Sequence, residues 1–196
     1  MSKLLVVSDD DRAVDDIAAL LGDDVEIVTP AQAGIERPDD DGSSFTQIAM
    51  DLADRAARAS GMVTVAEAAG LVVDALDGAP GVASGQYAGP DASAEDNRAL
   101  VLQQVREADT QSRSARLVSV IGVAGPGGEL RTFESTLEGV IATEERGVEG
   151  VGYEPIFELD DGMTIAELLP EDRRDANPRL TALAAALPFI RELLGS

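Results

Sequence analysis

Short apolar runs alternate with helical patterns along this chain, an arrangement typical of α/β proteins. The segment Lys3–Ser8 carries a continuous apolar run, which predicts a strand buried on both faces. Apolar residues at helical spacing follow it, and Val25–Val28 predicts a second strand. The segment Pro30–Gly42 is rich in Pro, Gly and Asp and predicts a loop, after which Ser43 or Ser44 is expected to cap a helix.

The rest of the chain continues the same alternation. Its pattern predicts strands at Val63–Val65 and Leu71–Val73 around a turn at Glu67–Gly70, a helix from Ser93 to Ala108, a strand pair at Arg116–Val123 and Leu130–Ala142, and helices at Met163–Leu169 and Pro178–Leu194. The glycine-rich stretches 77–90 and 147–157 predict loops. We find no repeat, linker or low-complexity tract, so residues 1–196 are predicted to form one α/β domain with a single core.

The charge of the chain is strongly negative and evenly spread. Lys and Arg number 15 against 37 Asp and Glu, which gives a formal net charge of -22, and Lys3 is the only lysine. Molar salt would screen the repulsion among these charges, so the composition favours a halophilic, acidic protein over an ordinary acidic protein from a GC-rich genome. Clustered cations are missing, which argues against a nucleic-acid partner.

Residue types that are missing narrow the chemistry further. The sequence has no His and no Cys, which excludes thiolate and imidazole metal sites, Ser/His/Asp triads and disulfides. No run approaches the roughly 20 apolar residues that span a bilayer, and the first residues lack a secretory signal. We therefore expect a cytoplasmic protein without a membrane partner, whose chemistry relies on carboxylates, hydroxyls, Arg or a bound metal.

Three blocks of sequence occur in a recognisable order and spacing. They are Ala66–Asp74, Gly78–Gly81 and Gly150–Phe157, the last reading Gly-Val-Gly-Tyr-Glu-Pro-Ile-Phe. Together they make the chain similar to the noncanonical purine nucleoside triphosphate pyrophosphatases, the inosine triphosphatase or Ham1-like family, along nearly its whole length. The resemblance implies a single mixed sheet in a two-lobed fold with a central cleft, and usually a homodimer. It also implies Mg-dependent hydrolysis of inosine or xanthosine triphosphate to the monophosphate and pyrophosphate.

The resemblance carries site residues over to this chain position by position. The phosphate-binding turn, which reads Thr-Gly-Asn-x-x-Lys in the family, would correspond to Ser8, Asp10 and the neighbouring Arg12. The residues that bind the base end of the nucleotide would be Tyr153, Glu154, Arg173 and Arg179. Asp40 and Glu67 are the candidate metal ligands, and Glu67 is the one catalytic candidate. Each also has an ordinary interpretation: Asp40 as part of a solvated acidic loop, Glu67 as a polar residue at a strand end, and Arg179 as a helix-surface cation.

Several polar positions of the family are lost in this chain. The catalytic Asp-Asp-Ser-Gly reads Glu67-Ala68-Ala69-Gly70, so the second carboxylate is an alanine. Lysines that hold phosphate are replaced at Ala13 and Leu52, an asparagine at Ile48, and the base-reading histidine at Pro178. Adaptation to salt does not explain these replacements.

Three functions are therefore compatible with the sequence. The favoured one is a diverged relative that has lost most or all catalysis and keeps a binding or dimer-partner role. The alternative is an active Mg-dependent pyrophosphatase with an altered site, and a third is a new small-molecule site in the same cleft.

Overall fold

The computed structural model describes residues 2–8, 10–22, 24–38, 42–108, 112–148 and 150–195, and the side chain of residue 11 is not described. The strands are β1 (Ser2–Val7), β2 (Val25–Val28), β3 (Val63–Val73), β4 (Ser114–Ala124), β5 (Leu130–Ile141) and β6 (Phe157–Glu158). The helices are α1 (Asp11–Leu21), α2 (Pro30–Ala33), α3 (Phe45–Ser60), α4 (Ala94–Glu107), α5 (Pro170–Asp175) and α6 (Pro178–Leu194). Short 3-10 turns lie at Asp74–Leu76, Gly81–Gln86, Glu154–Ile156 and Ile165–Glu167.

The strands form one mixed sheet in the order β2-β1-β3-β4-β5-β6. Strand β1 runs parallel to both of its neighbours, with Leu4 opposite Ile27 of β2 and Val63 of β3. Strand β6 pairs antiparallel with β5, and the short turn between β4 and β5 makes that pair a hairpin. The predicted α/β class with a single mixed sheet is confirmed.

The chain divides into two compact units. The first contains Met1–Ala68, Ser119–Ser135 and Arg179–Ser196, and the second contains Ala69–Val118 and Thr136–Pro178. Strand β3 passes from the first unit into the second after Ala68.

The core of the first unit forms between the sheet and two helices. Leu4 and Val6 of β1 pack with Ile17 of α1 and with Leu183 and Ile190 of α6. The intervening β1 residues are buried as well, so β1 is covered on both faces, as its continuous apolar run predicts.

Helix α3 lies close to strand β4 at a glycine. A Cβ added to Gly122 would overlap the carbonyl group of Ala49, and it would lie 3.3 Å from the Cβ of Ala53. Both alanines are fully buried. The close approach therefore needs a residue without a side chain at position 122.

The second unit has a core of its own and a polar framework around its glycine-rich turns. Leu71, Val101, Tyr153 and Phe157 belong to one buried cluster. The buried Asn97 of α4 accepts a hydrogen bond from the backbone N–H of residue 88 at 2.7 Å and donates one to the carbonyl of residue 85 at 3.2 Å. One amide side chain thus ties the predicted loop 77–90 to a helix.

Three sequence-based predictions of elements are wrong in detail. The predicted loop 30–42 begins with the short helix α2, whose N-cap Thr29 forms a capping box with Gln32. The two predicted strands around Glu67–Gly70 are one continuous strand. The predicted helix Met163–Leu169 is a 3-10 turn, and the regular helix α5 begins only at Pro170, whose fixed φ suits a first helical position.

No helix within the described ranges has both the length and the apolar character needed to cross a membrane.

Candidate functional site

A cluster of one arginine and three carboxylates lies in the first unit. Arg179, the second residue of α6, donates from Nε to both carboxylate oxygens of Glu67, at 3.0 and 2.8 Å. Its Nη2 lies 2.6 Å from Oδ2 of Asp10, and its Nη1 lies 3.3 Å from Oδ2 of Asp16. These residues come from α1, its N-cap, β3 and α6, and we call them the Arg179 cluster.

Asp10 is held at the start of α1 by local hydrogen bonds. It is the N-cap, and its Oδ1 accepts from the backbone N–H of Arg12 at 3.0 Å. The Arg12 guanidinium binds both oxygens of the same carboxylate, at 3.0 and 2.7 Å. The backbone N–H of Asp10 donates to Oγ of Ser8 at 3.1 Å. The structure therefore brings Ser8, Asp10 and Arg12 together, but Arg12 is turned onto its own acidic neighbour.

The charge state of Asp10 follows from these contacts. Burial by itself raises the pKa of this carboxyl, but hydrogen bonds from Arg12 and Arg179 outweigh it and hold the pKa well below its usual range. Asp10 is therefore an anion at any physiological pH.

Glu67 lies inside β3, where its carboxylate is engaged by two donors. The side chain is 8% exposed, and Oε1 also accepts from the hydroxyl of Ser119 on β4 at 2.9 Å. The sequence-based expectation placed Glu67 in a turn at a strand end, but residues 63–73 are one strand. Successive side chains of a strand point to opposite faces, so Ala68 lies on the face opposite Glu67.

Arg179 is the cation at the centre of the cluster. Its side chain is 11% exposed, and burial lowers its pKa, but Glu67 and Asp10 raise the pKa well above the ordinary arginine value. Guanidinium groups stay charged in proteins in any case. The expected base-reading residue therefore forms ion pairs with the carboxylates of its own unit.

The candidate nucleotide-binding residues of the second unit form hydrogen bonds with backbone groups of that unit. The Tyr153 hydroxyl donates to the carbonyl of Ser84 at 2.8 Å, and burial, followed by the nearby Tyr87, raises the pKa of Tyr153 above that of a free tyrosine. The carboxylate of Glu154 accepts from the backbone N–H of residue 151 at 3.1 Å. Arg173 donates to the carbonyls of residues 165, 166 and 168, at 3.3, 3.5 and 3.1 Å.

Of the two expected metal ligands, the structure describes only Glu67. Asp40 lies outside the described residues, and Glu67 is bound by Arg179. Among the residues whose placement the structure gives, no group of three or more acidic side chains is arranged to hold a metal ion.

Four of the positions at which the family's polar residues are lost are buried. Ala13, Ile48, Leu52 and Ala68 are at most 7% exposed. These side chains fill space in the core of the first unit, so the replacements are apolar residues in apolar surroundings.

Two members of the site were not found from the sequence, Asp16 and Ser119. Asp16 lies three residues after Ala13 and next to Ile17, on the edge of the buried apolar face of α1. A carboxylate at the edge of an apolar helix face is the sequence feature that could have indicated it. Ser119 has no comparable signal, because only the pairing of β4 with β3 brings its hydroxyl to Glu67.

The fold and the cluster define a mixed α/β protein with an ionic site where β3 meets the starts of α1 and α6. The model of the Ham1 family matches residues 4–189. A dITP/XTP pyrophosphatase of Leifsonia xyli subsp. xyli is 40% identical over 158 residues, which cover 80% of this chain and 79% of the relative. A dITP/XTP pyrophosphatase of Exiguobacterium sibiricum is 34% identical over 98% of this chain and 99% of its own length.

Comparison with solved structures leads to the same family as comparison with the sequence relatives. A HAM1 protein from Coxiella burnetii superposes with a TM-score of 0.91 at 30% identity and covers 98% of this chain, with all of that chain (100%) matched. This chain belongs to the Ham1 family, as the three sequence blocks indicated.

Proposed function

We propose that this chain is a nucleotide-binding member of the Ham1 family whose pyrophosphohydrolase activity is lost or strongly reduced. Its ligand class would be the noncanonical purine nucleoside triphosphates, such as those of inosine and xanthosine. Its role would be that of a binding or partner subunit.

The proposal rests on the two residues of β3, Glu67 and Ala68, that stand at the positions of the family's catalytic carboxylate pair. Hydrolysis needs a group that accepts a proton from the attacking water, and general-base catalysis typically contributes about 10²–10⁴-fold. Ala68 has no such group, and both oxygens of Glu67 already accept hydrogen bonds from Arg179. With both oxygens engaged by the guanidinium and one of them also by Ser119, this carboxylate is not placed to bind an attacking water.

The cations of the first unit support the same conclusion. A triphosphate is stabilised by positive side chains. Ala13 and Leu52 supply none, and Arg12 and Arg179 bind Asp10. These cations would therefore do little to stabilise the charge that develops on the triphosphate during hydrolysis.

A second candidate is an active Mg-dependent dITP/XTP pyrophosphatase with an altered site. Two observations favour it: the relatives bearing that name are up to 40% identical over most of the chain, and the two candidate metal positions, Asp40 and Glu67, remain acidic. In this case Arg179 would have to release Glu67 when a nucleotide binds.

Pyrophosphate release distinguishes the two candidates. The purified chain is incubated with the triphosphates of inosine, deoxyinosine and xanthosine and MgCl2 in multi-molar KCl, and binding of the same nucleotides is measured by equilibrium dialysis. We expect binding with turnover at least about 10²-fold below that of a typical enzyme. The Leifsonia xyli relative, assayed in its own buffer, is the positive control.

Restoring one carboxylate tests the reason for the loss. We expect Ala68→Asp to leave hydrolysis unrecovered, because positions 13, 48 and 52 would still be apolar and would supply no polar group to the triphosphate. Wild-type turnover near the median enzyme value of about 10 s⁻¹ would contradict the proposal and support the second candidate. The homodimer that the resemblance implies stays a prediction, which light scattering in the same buffer would check.

A further inference from the structure

Carboxylates that converge on one point require a cation, and in this chain an arginine supplies it. We propose that Arg179 is the built-in cation of the Arg179 cluster and that it excludes the divalent metal ion that such carboxylates would otherwise attract. The chain would thus keep its acidic site stable without Mg²⁺. This inference concerns metal binding and is independent of the rate of hydrolysis.

The oxygens that a metal would need are already bound. Both oxygens of Glu67 accept from Nε of Arg179, and one of them also accepts from Ser119. Asp10 uses Oδ2 for Arg179 and both oxygens for Arg12. Mg²⁺ requires near-octahedral oxygen ligands at about 2.0–2.1 Å. It could reach these oxygens only if the guanidinium moved away.

The charges of the cluster are nearly balanced without a metal. Three carboxylates face the two guanidinium groups of Arg12 and Arg179. Adding a divalent cation would place it against a buried guanidinium that cannot lose its proton. Repulsion therefore opposes metal binding as long as Arg179 stays in place.

The position of Arg179 in its helix supports this role. Arg179 is the second residue of α6, and the positive end of a helix dipole disfavours a cation there. The three carboxylates offset that cost through short contacts at a side chain that is 11% exposed. The acidic residues therefore decide where Arg179 lies.

The resemblance implied a magnesium site with Asp40 and Glu67 as ligands, and Glu67, the one of the two that the structure describes, does not fit it. Glu67 is bound by Arg179, and with the guanidinium in place the described acidic residues form no group of three or more that could hold a metal ion. The guanidinium of Arg179 occupies the place of a cation beside Glu67, which is why the implied magnesium site and the observed contacts of Glu67 differ.

Thermal unfolding with and without metal tests the proposal. Melting temperatures of the wild type and of Arg179→Met are measured in 3 M KCl with MgCl2 raised from zero to about 10 mM, since a ligand that binds the folded state raises its stability. The high KCl background keeps screening constant. We expect no change for the wild type and a saturable rise of several degrees for Arg179→Met.

Two further variants serve as controls. Arg191→Met makes the same substitution on an exposed residue of the same helix, and it should not respond to Mg²⁺. Arg179→Lys keeps a positive charge in the cluster and should also not respond. If Arg179→Met does not fold without metal, its refolding yield with and without MgCl2 replaces the melting temperature.

Either of two results would overturn the proposal. One is a saturable stabilisation of the wild type by Mg²⁺ that Glu67→Gln abolishes, which would mean that a metal displaces Arg179. The other is no effect of Mg²⁺ on Arg179→Met in either melting temperature or refolding yield, which would mean that the guanidinium does not occupy a cation position. Neither readout depends on nucleotide hydrolysis, so failure here is distinguishable from failure of the proposed function.

Discussion

At the scale of single residues, the Arg179 cluster shows how partly buried charges are accommodated. Arg179 meets Asp10, Asp16 and Glu67 with its three nitrogens, and Arg12 binds Asp10 from the other side. Removing one partner from such a network leaves the remaining charge without compensation, which usually costs more than the intact pair contributes. The cluster therefore constrains every substitution within it.

Asp10→Asn tests the contribution of one carboxylate through its pH dependence. The ordinary pKa of 3.8 applies to Asp10 in the unfolded chain, and the folded-state pKa is lower. The charged form therefore stabilises the fold above the ordinary value, and this stabilisation is lost as pH falls toward the folded value. Because Asp10 is partly exposed, we expect on the order of 1 kcal/mol after allowance for solvent screening.

The measurement is the difference in melting temperature between Asp10→Asn and the wild type. The difference should be full above about pH 5 and should shrink as pH approaches about 2, while the asparagine still caps α1. Asp15→Asn, at an exposed position on the same helix, removes the same formal charge and serves as the control. A difference that stays constant or grows as pH falls would contradict the assignment.

At the scale of elements, the contact of α3 with β4 depends on a glycine. Gly122 lies against the backbone of α3, where Ala49 and Ala53 are fully buried. Small residues on both sides let the helix approach the sheet closely, and a packed interior has little room for an added methyl group.

Gly122→Ala should destabilise the protein by about 1–3 kcal/mol, because the new Cβ would overlap the carbonyl group of Ala49. The midpoint of denaturant unfolding measures the effect. Gly85→Ala is the matched control, since a Cβ there meets no atom within 4 Å and the change in the unfolded chain is the same. Equal midpoints for the two variants would contradict the packing argument.

Elements with a strong periodic pattern could be predicted from the sequence, and others could not. Helix α6 has the predicted bounds Pro178–Leu194, and Ser44 caps α3 as one of the two predicted caps. The sequence predicts two separate strands in place of β3 because Glu67–Gly70 lacks β-branched and aromatic residues. Pairing with β1 orders the first part of β3, with Val6 opposite Val65.

At the scale of the whole molecule, net charge is the dominant feature. The formal charge of -22 is spread over the sequence, and repulsion among like charges opposes the compact state. The Debye length falls from about 10 Å at 0.1 M salt to about 3 Å at 1 M, so molar salt removes most of this repulsion. A halophilic character follows as a prediction.

The melting temperature should therefore fall as KCl is lowered below about 1 M, because screening is lost. Thermal unfolding at a series of KCl concentrations measures this dependence. Sucrose, which stabilises compact states without screening charge, separates the electrostatic effect from general exclusion of a cosolute. A melting temperature that is the same in dilute and in multi-molar KCl would remove the halophilic interpretation.

The sequence by itself determined the family, the α/β class with its mixed sheet, the acidic charge and the absence of a carboxylate at Ala68. Those features depend on local patterns, on motif spacing and on composition. The tertiary structure alone decided what Arg179 binds, since Glu67 and Asp10 are 112 and 169 positions away along the chain. Such contacts form only when α1, β3 and α6 pack together. Side chains that look free to bind a nucleotide in the sequence are therefore partners of one another in the fold.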